Sequence, residues 1–150
     1  MDALDPRPAL IEALLEACGT SGSIVSYYKQ FETARIEELA EFSPRYREAL
    51  LALNARMVDP LPVIRDFVYD NGFRGSFSLK AVAPALLGDE SSYEGMMVSD
   101  GIAAQRAFAE IISDGVSPDR KSELVNASLE YCGKDTLVMV HLVKFLFGQV

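Results

Sequence analysis

The chain has 150 residues, of which 49% are hydrophobic and 24% charged, and its formal net charge is −8 at pH 7. This composition is typical of a globular chain rather than a disordered one, and the length predicts a single domain over residues 1–150. The acidic balance argues against broad nucleic-acid binding through a basic surface, although a site for divalent cations is itself built from carboxylates.

The first part of the chain is predicted to contain three helices and up to two short strands. Helices are expected over Pro8–Ala17 and Phe31–Phe42, and another from Pro44, because proline favours the first helical position. The segment IVSYY, Ile24–Tyr28, is β-branched and aromatic, as is typical of a strand. MVDPLP, Met57–Pro62, is predicted to form a second short strand or an extended link.

The rest of the chain is predicted to contain four helices and a turn at residues 70–75. The expected helices are Val63–Tyr69, Ser78–Leu87, Asp100–Ser113 and Pro118–Phe147, the last of them straight or bent near Gly133. The chain is therefore predicted to be mostly helical, with a small remnant of one or two strands. Because two strands alone are marginally stable, we expect the edge of IVSYY to be covered by another chain or by a missing segment.

Targeting signals and cysteine frameworks are not evident in the sequence. No apolar run approaches the ~20 residues of a membrane-spanning helix. The N-terminal stretch MDALDPRPALIEALLEACG is acidic and contains two prolines, unlike a secretory signal peptide. Cys18 and Cys132 are too few and too isolated for a disulfide framework or a zinc site. We therefore expect a cytoplasmic protein that does not contact a membrane.

Asp135 occupies an unusual position in the last predicted helix. On a helical wheel of about 100° per residue it falls between Tyr131 and Leu142, in the middle of the apolar side. An ionised carboxylate facing a core is costly unless it is paired, hydrogen-bonded or bound to a metal. We therefore expect Asp135 to have a partner: backbone amides or an arginine in a structural role, or a metal in a functional one.

The segment YCGKD, residues 131–135, places a tyrosine and an aspartate four residues apart on this helix. With that spacing the phenol and the carboxylate project side by side. The pattern resembles the third motif of the DEDD 3′–5′ exonucleases, in the branch that carries a tyrosine. The resemblance implies that Asp135 ligates a catalytic divalent metal and that Tyr131 orients the attacking water.

A second segment resembles another motif of the same exonucleases, in which an asparagine, a short gap, an aromatic residue and an acid lie at a strand-to-helix transition. Here Phe31 and Glu32 follow the predicted strand, and Tyr28 stands where the asparagine is expected. Glu32 shares a helix side with Ile36 and Leu39. The resemblance implies that Glu32 is a metal ligand; a glutamate that simply favours the first turn of a helix is the alternative.

Five segments, in order, resemble the C-terminal part of a bacterial family known only as a domain of unknown function. They are GSIVSYYKQFE, MVDPLP, GSFSLKAVAPAL, DGIAAQRAF and LEYCGKDTLVMVHLVKFL. Members of that family look like RNase H-fold exonucleases, often attached to RecB-like or Cas4-like nuclease regions. The resemblance runs from about Asp5 to Leu146 and implies an α/β, RNase H-like fold that is truncated, because the first motif would precede Met1.

The implied parent activity is the hydrolysis of DNA or RNA phosphodiester bonds with Mg²⁺ or Mn²⁺, through two cations about 3.5–4 Å apart. Of the four acidic positions in the family, this sequence supplies Glu32 and Asp135. We therefore expect little or no nuclease activity from this chain alone. The alternative is a non-catalytic helical module that binds a protein partner or scaffolds an adjacent nuclease.

Two partners and four further residues complete the predictions. The partners are nucleic acid, for the parent domain, and a second copy of the chain, because the exposed edge of IVSYY invites pairing. Asp59 is interpreted as a turn carboxylate or a neighbour of the site, and Asp100 as a helix N-cap. Lys80 is either a solvated lysine or a phosphate contact, and His141 is expected to face solvent.

Overall fold

The computed structural model describes residues 5–148, which are mostly α-helical with one small parallel sheet. The backbone contacts divide the chain into two compact units, with the boundary between Val68 and Tyr69. A mostly helical chain with a strand remnant is therefore confirmed, whereas a single domain over residues 1–150 stays a prediction. No helix among the described residues is long and apolar enough to cross a membrane.

The first unit contains five segments of regular structure around one apolar core, followed by a short helix. In chain order they are α1 (Arg7–Cys18), β1 (Ile24–Val25), α2 (Lys29–Phe42), α3 (Arg47–Ala55), β2 (Met57–Val58) and α4 (Leu61–Phe67). A 3-10 turn at Pro44–Tyr46 precedes α3. The core consists of buried residues from α1, α2 and α3: Ile11, Ile36, Ala40, Leu50 and Leu53.

The predicted strand IVSYY is shorter in the structure than in the sequence-based prediction. Strand β1 pairs in parallel with β2, Ile24 opposite Met57 and Val25 opposite Val58, and ends there. Tyr28 adopts the left-handed conformation, with φ of 61° and ψ of 55°, which is incompatible with a strand. The prediction that the strand reaches Tyr28 is therefore wrong, and α2 starts directly after this residue.

The carboxylate of Asp59 joins the start of α2 to the end of β2. Its oxygens accept hydrogen bonds from the backbone N–H groups of Tyr28 at 3.1 Å and Lys29 at 2.9 Å. A third bond comes from the backbone N–H of Leu61, at 2.9 Å, at the start of α4. Because helix starts leave N–H groups without intrahelical partners, one side chain here satisfies two helix starts.

The guanidinium of Arg56 holds the segment between α1 and β1 in place. It donates hydrogen bonds of 2.7–2.9 Å to four backbone carbonyl oxygens, those of Cys18, Gly19, Ser21 and Gly22. Arg56 lies between α3 and β2, so these bonds fix the entry to β1 relative to β2, its partner strand. The five N–H donors of an arginine suit such a site.

Among the described residues, the second unit contains three α-helices and two 3-10 turns, Asn71–Phe73 and Asp89–Ser91. The α-helices are α5 (Leu79–Leu87), α6 (Gly101–Ile112) and α7 (Pro118–Phe147). Helix α7 has the predicted bounds and is continuous through Gly133. Asp100 caps α6, as predicted, because its carboxylate accepts a 2.7 Å hydrogen bond from the N–H of Ala103. One buried cluster lies between α6 and α7, with Ala107, Leu124 and Ala127, and another joins α5 to α7, with Ala83, Tyr93 and Val138.

Candidate functional site

Asp135 is hydrogen-bonded to a tyrosine from a different segment of the second unit. The hydroxyl of Tyr93, in the segment between α5 and α6, donates to Asp135 Oδ1 at 2.6 Å. The Tyr93 side chain is only 5% exposed, and Asp135 is half-buried. The expectation that Asp135 has a partner is confirmed. The expected structural partners were backbone amides or an arginine, whereas the observed partner is the phenol of Tyr93.

Tyr131 lies beside the same carboxylate, one helical turn before Asp135. Its ring centroid is 6.1 Å from that of Tyr93, with the two planes inclined at 59°. Burial, followed by the negative charge of Asp135, raises the pKa of Tyr131 to about 12. Burial and the hydrogen bond to Asp135 also raise the pKa of Tyr93. Both phenols therefore keep their protons at neutral pH, and that of Tyr93 is donated to Asp135.

Two lysines lie against these aromatic rings. The Nζ atom of Lys80, on α5, is 5.6 Å from the ring centroid of Tyr93 and 5.7 Å from that of Tyr131. Lys134 Nζ is 5.9 Å from the Tyr93 ring and donates a 2.8 Å hydrogen bond to the backbone oxygen of Glu90. Lys80 is thus half-buried over the tyrosines rather than fully solvated, and its contacts are cation–π contacts.

A cavity of about 1240 Å³ opens next to this cluster within the second unit. Lys80, Tyr93 and Lys134 contribute to its wall, so the tyrosine that binds Asp135 also faces the cavity. The remaining charged residues of the wall are of both signs: Arg74, Asp89, Glu90, Glu94 and Asp100. The wall is therefore polar and carries charges of both signs.

Glu32 lies in the other unit. It is in the first turn of α2, directly after β1 and Tyr28, at the strand-to-helix transition that the sequence predicts. Its side chain is exposed, although Ile36, on the same helix side, is buried. The structure thus brings Tyr131 and Asp135 together in the second unit and places Glu32 in the first.

Among residues 5–148, no group of three or more histidine, cysteine, aspartate or glutamate side chains is arranged to hold a metal ion. Asp135 contributes one carboxylate, and Tyr93 already occupies one of its oxygens. Mg²⁺ needs near-octahedral oxygen ligands, so the residues of the second unit do not by themselves fit this ion.

The minor sequence predictions can be compared directly with the structure. Asp59 is a turn carboxylate, and His141 is exposed on α7, as predicted. Tyr93 was missed because it lies in an irregular segment 42 residues before Asp135, where neither periodicity nor spacing links the two. The sequence indicated this contact only through Asp135, whose carboxylate lies on the apolar side of the predicted helix. That position predicts a partner but does not identify it.

The comparisons with known proteins identify a family but no activity. No curated protein and no solved structure matches the chain. A family model described as "Domain of unknown function (DUF2779)" matches residues 1–78, a segment that includes Glu32 and ends before Tyr131. Because this match covers more than half of the 150 residues, the chain belongs to the DUF2779 family.

Proposed function

We propose that this chain is part of a DEDD-type nuclease-like protein that hydrolyses phosphodiester bonds of DNA or RNA with Mg²⁺ or Mn²⁺. The observation that carries the proposal is the pairing of Tyr131 with Asp135 on one face of α7. The carboxylate is half-buried and held by Tyr93 at 2.6 Å, so its position is fixed before any ligand binds. In this proposal Asp135 and Glu32 are metal ligands, and Tyr131 orients the attacking water.

The pKa of Tyr131 supports the part assigned to this residue. A phenol with a pKa of about 12 does not take a proton from water at neutral pH, because it is already protonated. It can donate a hydrogen bond and so hold an oxygen atom in a fixed direction. Tyr131 therefore suits a positioning role and does not suit that of a general base.

The backbone at Tyr28 supports the alignment of the second motif. Asparagine is among the few residues other than glycine that adopt the left-handed conformation readily. Tyr28 has this conformation and stands where the resemblance expects an asparagine, four residues before Glu32. The strand-to-helix geometry therefore suits the motif even though the residue itself differs.

The metal would need ligands beyond those of the second unit. When bound, the ion would supply Lewis-acid stabilisation of the phosphodiester oxygens. Because Asp135 alone does not fit Mg²⁺, we expect nuclease activity of this chain alone to be weak or absent. Completion of the site by further protein segments is part of the proposal.

Titration with Mn²⁺ by calorimetry tests the assignment of Asp135. We expect weak Mn²⁺ binding to the wild-type chain and a reduction of at least threefold in Asp135→Asn, because the substitution removes the negative charge and keeps the shape. Glu130→Gln is the matched control, since Glu130 is exposed on the same helix. Equal Mn²⁺ affinities of the wild type and Asp135→Asn would remove Asp135 from this role.

The second candidate function is a non-catalytic module that scaffolds an adjacent nuclease. It is favoured because the described residues contain no group of three or more histidine, cysteine, aspartate or glutamate side chains that could hold a metal ion. A nuclease assay with Mn²⁺ and labelled single strands separates the candidates. Turnover that is lost in Glu32→Gln but kept in Glu37→Gln, an exposed residue of the same helix, would exclude the scaffold. No turnover, with Mn²⁺ affinity unchanged in Asp135→Asn, would favour the scaffold.

A homodimer through the edge of β1 stays part of the proposal. Within the described residues β1 has one neighbouring strand, β2, so no strand pairs with its other edge. The side chain of Val25 on β1 is exposed. Because β1 has only two residues, such an edge would contribute few backbone hydrogen bonds. Sedimentation of the wild type and Val25→Glu at micromolar concentration tests it, and an equal dimer content would argue against this edge.

A further inference from the structure

Helix α7 has a second apolar side that its own unit does not cover. On the buried side, Leu124 packs in the cluster between α6 and α7, and Val138 packs in the cluster that joins α5 to α7. The exposed apolar residues are Val125, Leu129, Leu137, Val140 and Phe147, which we call the outer face of α7. Leu129 is 65% exposed and Leu137 54%. A helix that is apolar on both sides is typical of one buried on both sides.

Gly133 lies at the middle of this 30-residue helix, within the outer face. Glycine inside a helix is less favourable than alanine. A Cβ atom built at Gly133 meets no other atom within 4 Å, so packing within the described chain does not require a glycine here. A missing Cβ does allow the backbone of another helix to approach closely. The exposed Cys132 lies next to it.

The exposed charges of α7 are divided between its two halves. In the first half the fully exposed ones are acidic, Asp119, Glu123 and Glu130, whereas Lys121 and Arg120, which pairs with Glu123, are partly exposed. In the second half the fully exposed charge is that of Lys144. A second α7 helix running in the opposite direction would place Lys144 of each copy beside the acidic residues of the other. A parallel copy would instead place like charges together.

We propose that the outer face of α7 binds a second copy of this chain, with the two α7 helices antiparallel and crossing at Gly133. Leu129 and Leu137 are each four residues from Gly133, so Leu129 of one copy meets Leu137 of the other. Two such contacts form by symmetry, as in a typical isologous dimer. The helix is about 45 Å long, which leaves room for contacts on both sides of the crossing.

Sedimentation of structured variants tests the interface. We expect the wild-type chain to be dimeric at micromolar concentration and Leu137→Glu to be monomeric with an unchanged far-UV circular dichroism spectrum. Ile112→Glu is the matched control, because Ile112 is an exposed apolar residue on α6 of the same unit, and it should stay dimeric. A monomeric wild type would overturn the proposal. So would a dimer that survives Leu137→Glu but is lost in Val25→Glu, the variant at the edge of β1.

Gly133→Ala gives a readout that does not depend on adding a charge. In the monomer this substitution meets no clash and favours the helix, so the melting temperature at low protein concentration should rise. At the crossing point the added methyl group separates the two backbones, so we expect the dimer dissociation constant to rise at least fivefold. A dimer that is unchanged or tighter would contradict the close crossing.

Cross-linking tests the direction of the helices. Mild oxidation with diamide should link two copies through Cys132 in the Cys18→Ser variant and fail to do so when Leu137→Glu is added. In a Cys18→Ser, Cys132→Ser background, mixing Glu123→Cys with Lys144→Cys should give a linked pair, whereas Glu123→Cys alone should not. Linkage of Glu123→Cys to itself would indicate parallel helices and overturn the antiparallel arrangement.

Discussion

The hydrogen bond between Tyr93 and Asp135 is the interaction on which the candidate site depends. It is short, at 2.6 Å, and involves a charged acceptor in a half-buried position. Hydrogen bonds to charged groups contribute more to stability than neutral ones, and leaving a buried acceptor without its donor has a further cost. Asp135 thus has a structural role in the free chain, whatever it binds in addition.

We expect Tyr93→Phe to lower the free energy of unfolding by about 1–3 kcal/mol, because the hydroxyl is lost and Asp135 Oδ1 loses its donor. Urea unfolding followed by circular dichroism measures the change. Tyr69→Phe is the control, since Tyr69 is 86% exposed and its hydroxyl donates to Asn71, two residues away. This variant should stay within about 0.5 kcal/mol of the wild type. Equal effects of the two substitutions would remove the special role of Tyr93.

The raised pKa of Tyr131 predicts a specific alkaline behaviour. Because folding raises this pKa from 10.0 to about 12, the folded chain holds the phenol proton more tightly than the unfolded chain. The stability associated with this proton is present below pH 10 and is lost as the pH rises to about 12. The difference in phenolate absorbance between the wild type and Tyr131→Phe should have its midpoint near pH 12. A midpoint near pH 10 would show that burial and the charge of Asp135 do not raise the pKa of Tyr131.

At the scale of elements, side chains far apart in sequence determine where the elements of the first unit begin and end. Periodicity predicted helix α7 with its actual bounds, because its 30 residues carry a long apolar pattern. The end of β1 was mispredicted because Asp59, more than 30 residues later, accepts the N–H groups of Tyr28 and Lys29. Local sequence preferences contain no information about such a contact.

Arg56 offers a test of whether side chains distant in sequence determine where the elements begin and end. We expect Arg56→Lys to lower the free energy of unfolding by about 1–3 kcal/mol, because an ammonium group with three donors cannot replace four hydrogen bonds to separate carbonyl oxygens. Arg65→Lys is the control, since Arg65 is exposed and its ion pair is with the neighbouring residue Asp66. Thermal unfolding of both variants provides the comparison. Similar melting temperatures would show that the loop after α1 does not depend on the guanidinium.

At the scale of the whole molecule, the sequence predicted that Tyr131 and Asp135 lie side by side. It did not predict how far Glu32 lies from them. Tyr131 and Asp135 share one helix, so their spacing fixed their proximity in advance. Glu32 belongs to a different compact unit, and its relation to them depends on tertiary structure that no spacing encodes. The boundary at Val68 also escaped prediction, because no run of proline, glycine or serine marks it.

Limited proteolysis of the full chain should reveal that boundary. Phe67, at the end of α4, is 83% exposed, and Tyr69 follows in an irregular segment, so chymotrypsin can bind both without unfolding a core. Phe31 and Phe108 are also exposed, but they lie within α2 and α6, where cleavage requires helix opening. We therefore expect the first internal cut after Phe67 or Tyr69, identified by mass spectrometry. Replacing both residues by serine should slow this cut at least tenfold, and a first internal cut inside either unit would contradict the division.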